Sequence, residues 1–285
     1  MSDSSRKPWW LYPNLLGIDA PLVAVAWLYV FAQTWRLGYH PWEAYASLAL
    51  IVWAIYAFDR LLDASLMGED HAAMETRHRF QWRHRKWFRI ALMVVVPLTL
   101  VLVVTRMPMA LYKHLIPGGV LVAGFFGLAI ITSQEPERVS LTKNLIGGTA
   151  FAFGTAIVAH VYRYEFGLYD MVFSREFVCF AVLCIVNISA IGLWEHAARA
   201  PDREVAASDE LALTLPLILL GAAALAYAVM DSELSTRPFY YAILTAAGLL
   251  YVLNRSRSRF GLDTLRVLAD VAMLVPVLVF IAARR

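Results

Sequence analysis

Charge is scarce in this sequence. Of 285 residues only 16% are Asp, Glu, Lys or Arg, while 60% are hydrophobic; an ordinary soluble domain has about a quarter of its residues charged. With the apolar residues gathered into blocks of about 20, the balance points away from a soluble globular protein and towards a polytopic membrane protein. Cysteine is nearly missing. Cys179 and Cys184 are the two, five apart in one apolar run, where a helix points them in different directions. They read as small buried side chains, and no disulfide framework follows from them. The strict alternation of a membrane barrel is missing, so the apolar runs read as helices. Met1 to Pro13 lacks the small-residue cleavage pattern of a signal peptide. It ends instead in Trp9, Trp10 and Tyr12, rings suited to a membrane interface.

What is there is organised as spans. Windows of about 19 residues give nine: Leu15 to Trp35, Trp42 to Leu66, Phe88 to Thr105, Leu115 to Thr132, Leu141 to Val161, Ser174 to Ala198, Asp209 to Met230, Thr236 to Leu253 and Asp263 to Ala283. The expectation is an all-α bundle of nine transmembrane helices. Residues 1–285 form a single membrane domain, with 1–14 an interfacial segment and 67–88 a basic, aromatic loop. With the first residues inside, the lysines and arginines divide about 17 against about 8 in favour of the cytoplasmic side. That predicts a cytoplasmic amino terminus, a carboxyl terminus on the opposite side, and residence in a bacterial-type inner (cell) membrane. In the loop, Arg77, Arg79, Arg83, Arg85 and Lys86 interleave with Phe80, Trp82 and Trp87. This suits either a solvated basic loop or a helix lying in the headgroup layer. Spans close on both sides leave no place for nucleic acid, and His71, His78 and His84 lack the short spacing of zinc ligands.

Asp59 and Asp63 end the second run, one helical turn apart on one face. Stacked acids repel unless a cation, a metal or a shared proton lies between them, so the pair is either an ion site or a solvated helix end. Lys143 opens the fifth run, Glu195 closes the sixth and Asp263 opens the ninth, all arriving at the same face under the predicted orientation. Inside the spans Asp19, Asn187 and Asp270 are costly polar residues that need partners or a role. Gly147, Gly148 and Gly154 suit close helix approach. Glu195 and Arg199 have the spacing of an exposed helical ion pair. Ser208-Asp209-Glu210 reads as a helix cap followed by acids in the first turn. The half of the chain facing away from Asp59 shows no comparable polar set.

The segment around Asp59 resembles the first signature of the UbiA superfamily of intramembrane prenyltransferases, N-D-x-x-D-x-x-x-D. Asp59 and Asp63 fall on its second and third acids, with Arg60 and Ala64 following as they often do there. Ile55 and Tyr56 stand where the Asn and first Asp belong. Thr76-Arg77 matches a loop stretch of the family, with His78 in place of its proline. Lys143 before Gly147 and Gly148 resembles its fifth helix. Glu195 falls at the first acid of the second signature, while Arg199 occupies that signature's second acid position.

The resemblance implies a nine-helix bundle with a cavity open to lipid, in which Mg2+ on Asp59, Asp63 and Glu195 holds the diphosphate of an isoprenoid donor. It implies Lys143, Arg60 and Arg77 as diphosphate-binding cations, with Asp59, Asp63 and Lys143 carrying catalysis. Tyr56, Asn187 and Asp270 are candidate pocket residues, and Tyr56, Trp53, Phe58 and Trp194 candidate ring contacts. The implied reaction transfers a prenyl group to a lipophilic acceptor within the bilayer. Two other readings stand beside it: a terpene cyclase on the same scaffold, and a lipid-binding or transport protein that has lost the chemistry.

Overall fold

A computed structural model of the chain describes residues 8–66, 76–132, 141–163, 166–199, 203–231 and 234–284. The side chains of Arg77 and Arg199 lie outside the description, so the roles expected of them are not addressed by it. Every regular element among the described residues is helical. The α-helices are α1 (Tyr12–Leu16), α2 (Asp19–Thr34), α3 (Trp42–Leu66), α4 (Thr76–Arg83), α5 (Arg85–Arg106), α6 (Tyr112–Thr132), α7 (Leu141–His160), α8 (Leu168–Val172), α9 (Arg175–Arg199), α10 (Arg203–Met230), α11 (Arg237–Ser256) and α12 (Leu262–Ala283).

Eight of the nine predicted runs each fall on one long helix. Among the described residues, six helices are long and apolar enough to cross a membrane: α3, α5, α6, α9, α10 and α12. A seventh crossing follows if the bent pair Trp9–Leu16 and Asp19–Thr34 is one span. Helices α7 and α11 are less apolar, because Lys143, Asn144 and His160 sit on one and Arg237, Asn254 and Arg255 on the other. Both are packed in the middle of the bundle, α7 against α9, α6 and α2, and α11 against α10, α12 and α9. Internal neighbours cover one face of each, while Leu145 on α7 and Val252 on α11 remain exposed.

The first predicted run is broken. Gly17 takes a left-handed φ of 69° and α1 meets α2 at 79°, a conformation that glycine adopts without a Cβ penalty. A helix end inside a bundle leaves carbonyls to be satisfied. Here α3 satisfies two of them: Arg60 Nη1 donates to the Asn14 carbonyl at 2.6 Å and Trp53 Nε1 to the Leu16 carbonyl at 3.1 Å. On the far side of the break, Asn14 Nδ2 donates to Asp19 Oδ2, which places an acid in the first turn of α2 where the helix dipole favours one.

Glycines set the closest helix contact. A Cβ on Gly148 would lie 2.6 Å from the backbone of Ile185, so α7 and α9 approach main chain to main chain. At Gly147 it would meet the Phe125 ring at 3.0 Å, whereas nothing lies within 4 Å at Gly154. The packing role expected of all three therefore holds for the first two only. The core is aromatic: Trp27 stacks on Phe180 at 4.6 Å, and Phe31 and Phe239 close around them. By contrast α5 and α6 are mostly exposed along their length, as lipid-facing helices are.

Helix α10 begins a turn and a half earlier than predicted, at Arg203. Ser208, Asp209 and Glu210 are thus interior to a helix rather than its cap. Asp209 accepts a 2.7 Å contact from His196 Nδ1, and Glu210 pairs with Arg255 and with Arg257 at 3.2 Å. In the basic segment α4 packs on α3 and α1, and Gln81 is fully buried there. Arg79, Arg83, Lys86 and Trp87 of the same segment are exposed.

Candidate functional site

Successive long helices run in opposite directions, so the bundle has two ends. The carboxyl end of α3, the amino end of α7, the carboxyl end of α9 and the amino end of α12 meet at one of them. There Lys143 Nζ lies 4.0 Å from Asp63 Oδ1, both side chains about a quarter exposed. The ammonium also stands 5.2 Å from the centre of the Phe125 ring. Phe126 contacts Phe125 and meets Phe58 edge-on at 5.1 Å. Phe125 and Phe126 were not legible as site residues in the sequence, because one apolar ring among many on α6 carries no mark. Asp59 lies one turn before Asp63 on α3, partly buried.

Arg60 departs from its expected place. It is 4% exposed, turned towards α1, and holds the Asn14 carbonyl; its guanidinium carbon lies 6.0 Å over the Tyr56 ring. Glu195 also has another commitment. Its Oε1 accepts from Arg266 Nη2 at 2.5 Å and Nε at 3.1 Å, and Arg266 is 3% exposed and further contacts Asp263 at 3.2 Å. Among the described residues no three His, Cys, Asp or Glu side chains are gathered closely enough to share a metal ion. Trp194 is likewise engaged within the bundle, donating from Nε1 to Asn254 Oδ1 at 3.0 Å.

Magnesium is bound by one or two protein carboxylates with the remaining positions filled by water and phosphate oxygens. Asp59 and Asp63 fit that requirement as a pair on one helical face. Glu195 Oε1 is engaged by two N–H groups of Arg266.

Tyr56, Asn187 and Asp270 come together. They line one cavity between α2, α3, α7, α9 and α12, with Ala20, Phe151, Cys184 and Met273. Its volume of about 20 Å³ admits a single water. Asn187 Oδ1 is buried with no hydrogen-bond partner among the described residues, which marks a polar spot inside the bundle that a water would fill. Cys179 and Cys184 are both buried free thiols.

The other end of the bundle is not featureless, contrary to the sequence reading. A cavity of about 780 Å³ opens there among the carboxyl end of α2, Arg163, residues 166–174 and the amino ends of α9 and α11. Sequence inspection passes over it because its charged residues are scattered along the chain, Arg36 after α2, Arg163 after α7, Asp170 in α8 and Glu176 at the start of α9. Neither the protein-family models, the curated proteins nor the solved structures contain a match to this chain.

Proposed function

We propose that this chain is a UbiA-like membrane enzyme that binds an isoprenoid diphosphate at the Asp59, Asp63 and Lys143 end of the bundle and transfers the prenyl group to a lipophilic acceptor. In this reading nine helices cross the membrane and that end faces the cytoplasm. The observation that carries it is the meeting of Asp63 with Lys143 across α3 and α7, 4.0 Å apart and both solvent-accessible. An acid and a base so placed bind a metal-bridged polyanion from opposite sides, the base directly and the acid through a cation.

Asp59 and Asp63 would hold Mg2+, which when bound neutralises charge on the leaving diphosphate. Lys143 contributes its ammonium to the same oxygens as the allylic carbon–oxygen bond breaks and its electron pair leaves with the diphosphate. The carbocation is then captured by the acceptor, which releases a proton. Phe58, Phe125 and Phe126 supply ring faces at this end that stabilise a cation and keep water away from it. Arg60 contributes by anchoring the broken first helix rather than by touching the donor.

The test is diphosphate release by the purified protein given geranyl, farnesyl or geranylgeranyl diphosphate, with and without Mg2+ and with and without an acceptor. Release that requires Mg2+ and is abolished in Asp63→Ala is the expected result, and product analysis separates transfer from internal cyclisation. No release with any donor would remove both enzyme readings. The interior cavity of about 20 Å³ holds neither a prenyl chain nor another lipid tail and favours neither the enzyme nor the lipid-binding reading. On the enzyme reading the chain must lie against the exposed faces of α5 and α6.

A further inference from the structure

The 780 Å³ cavity at the end of the bundle away from Asp63 has the size of a small-molecule site. Its lining carries both signs of charge. Arg36 and Arg163 supply two cations, and Asp170 and Glu176 two carboxylates. Among the described residues none of the four pairs with another within 4 Å; the ion pairs of the bundle lie elsewhere. Opposite charges that face one cavity without meeting are arranged to be bridged.

Three of the four charged groups are held in place. Arg163 lies against two rings, its guanidinium carbon 3.8 Å from the centre of Phe166 and 4.7 Å from that of Trp35. Ring contacts of this kind restrain a guanidinium while its N–H groups remain able to donate to an oxyanion. Asp170 spends Oδ2 on the Gly167 amide at 2.7 Å, and Glu176 spends Oε1 on the Tyr240 hydroxyl at 3.2 Å. Each keeps its second oxygen.

Arg36 ends α2 at a φ of 53°, and the amide of Leu37 closes the turn on the Ala32 carbonyl at 3.0 Å. This is the left-handed helix-end position where glycine is unstrained. A bulky residue there is explained by what its side chain does. Beside it Tyr169 and Phe173 stack at 6.3 Å and are more than 70% exposed. Exposed rings at the end of a membrane bundle lie at headgroup level.

We infer that this cavity binds a phosphoammonium zwitterion, with the phosphate on Arg36 and Arg163 and the ammonium between the aromatic faces and the carboxylates of Asp170 and Glu176. A zwitterion satisfies both signs at once, whereas a simple anion would leave two carboxylates beside it and a simple cation two arginines. The chemistry is shared by free phosphoethanolamine and by the headgroup of phosphatidylethanolamine. The site is independent of the diphosphate reading and stands or falls without it.

The experiment uses the full-length protein in detergent, with lipid retention read by native mass spectrometry and soluble ligand by calorimetry. The probes are a short-chain phosphatidylethanolamine, a phosphatidylglycerol of the same chains, and free phosphoethanolamine. Wild type should retain one phosphatidylethanolamine at least about tenfold more tightly than phosphatidylglycerol. Arg163→Gln and Arg36→Gly should each weaken it by about tenfold, the gain of one charged bidentate contact. Because glycine suits the backbone at position 36, Arg36→Gly should keep or raise the thermal midpoint, and Arg36→Lys should restore part of the binding. Free phosphoethanolamine binding as tightly as the lipid would assign the site to the soluble ligand and uphold the inference. Equal retention of both lipids, or retention unchanged in both arginine variants, would overturn it.

Discussion

At the scale of single residues, Gly148 and Gly154 make opposite demands on the same helix. A Cβ on Gly148 would press 2.6 Å from the backbone of Ile185, and no side-chain rotation relieves a main-chain clash. Gly148→Ala should therefore lower stability by about 1–3 kcal/mol, the usual cost of overpacking. Gly154→Ala meets open space and should raise stability by about 0.5–1 kcal/mol through helix propensity. Thermal unfolding of the two variants in detergent reads the difference. His40, between α2 and α3, is a second such residue. Burial holds its imidazole below the ordinary value, with the Val158 carbonyl at 3.4 Å from Nε2 working the other way. The fold favours the neutral ring, so its contribution is complete above the unfolded-state value of about 6.5 and is lost as pH falls from there towards the lower folded value. Wild type should lose stability over that window relative to His40→Gln; parallel pH profiles would show that the ring titrates alike folded and unfolded.

At the scale of elements, the Glu195–Arg266 contact ties α9 to α12 across 71 residues of sequence. Glu195→Ala removes one carboxylate from a guanidinium that is 3% exposed and also contacts Asp263. Breaking such a buried pair from one side costs about 3–5 kcal/mol, and replacing both members by apolar groups restores most of it. Glu195→Ala/Arg266→Met should accordingly unfold closer to wild type than Glu195→Ala alone. If the protein releases diphosphate, the double variant should retain that activity; a folded but inert double variant would return Glu195 to the reaction. The residue was legible as important from its place at the end of an apolar run. Its partner was not, because Arg266 also sits near a run end and either could have faced water. Arg60 shows the same limit: its position beside Asp59 was plain, but its direction towards α1 depends on a break at Gly17 that hydropathy averages away.

At the scale of the molecule, α7 decides how the bundle sits in a membrane. Its 20 residues span about 30 Å, the thickness of the hydrocarbon layer, although Lys143 and His160 keep it from being apolar throughout. Single cysteines at Leu141 and Tyr169, both exposed, should react with an impermeant maleimide from opposite sides of oriented vesicles. A cysteine at Met93, exposed midway along α5, should resist the reagent because lipid covers it. Labelling of positions 141 and 169 from one side would mean that α7 does not cross.

The sequence alone determined the helical class, the place of each long helix and the residues that had to be special: a span needs about 20 apolar residues, and that requirement is local. It also marked Tyr56, Asn187 and Asp270, since polar side chains in apolar runs are conspicuous wherever the runs end up. Only the tertiary structure decided that those three share one cavity, that Asp63 meets Lys143 while Glu195 meets Arg266, and that four unpaired charges from separate segments face one cavity at the far end. Each of those outcomes depends on which helices become neighbours. That is set by shape, down to the absence of a Cβ at Gly148, and shape is not additive along the chain.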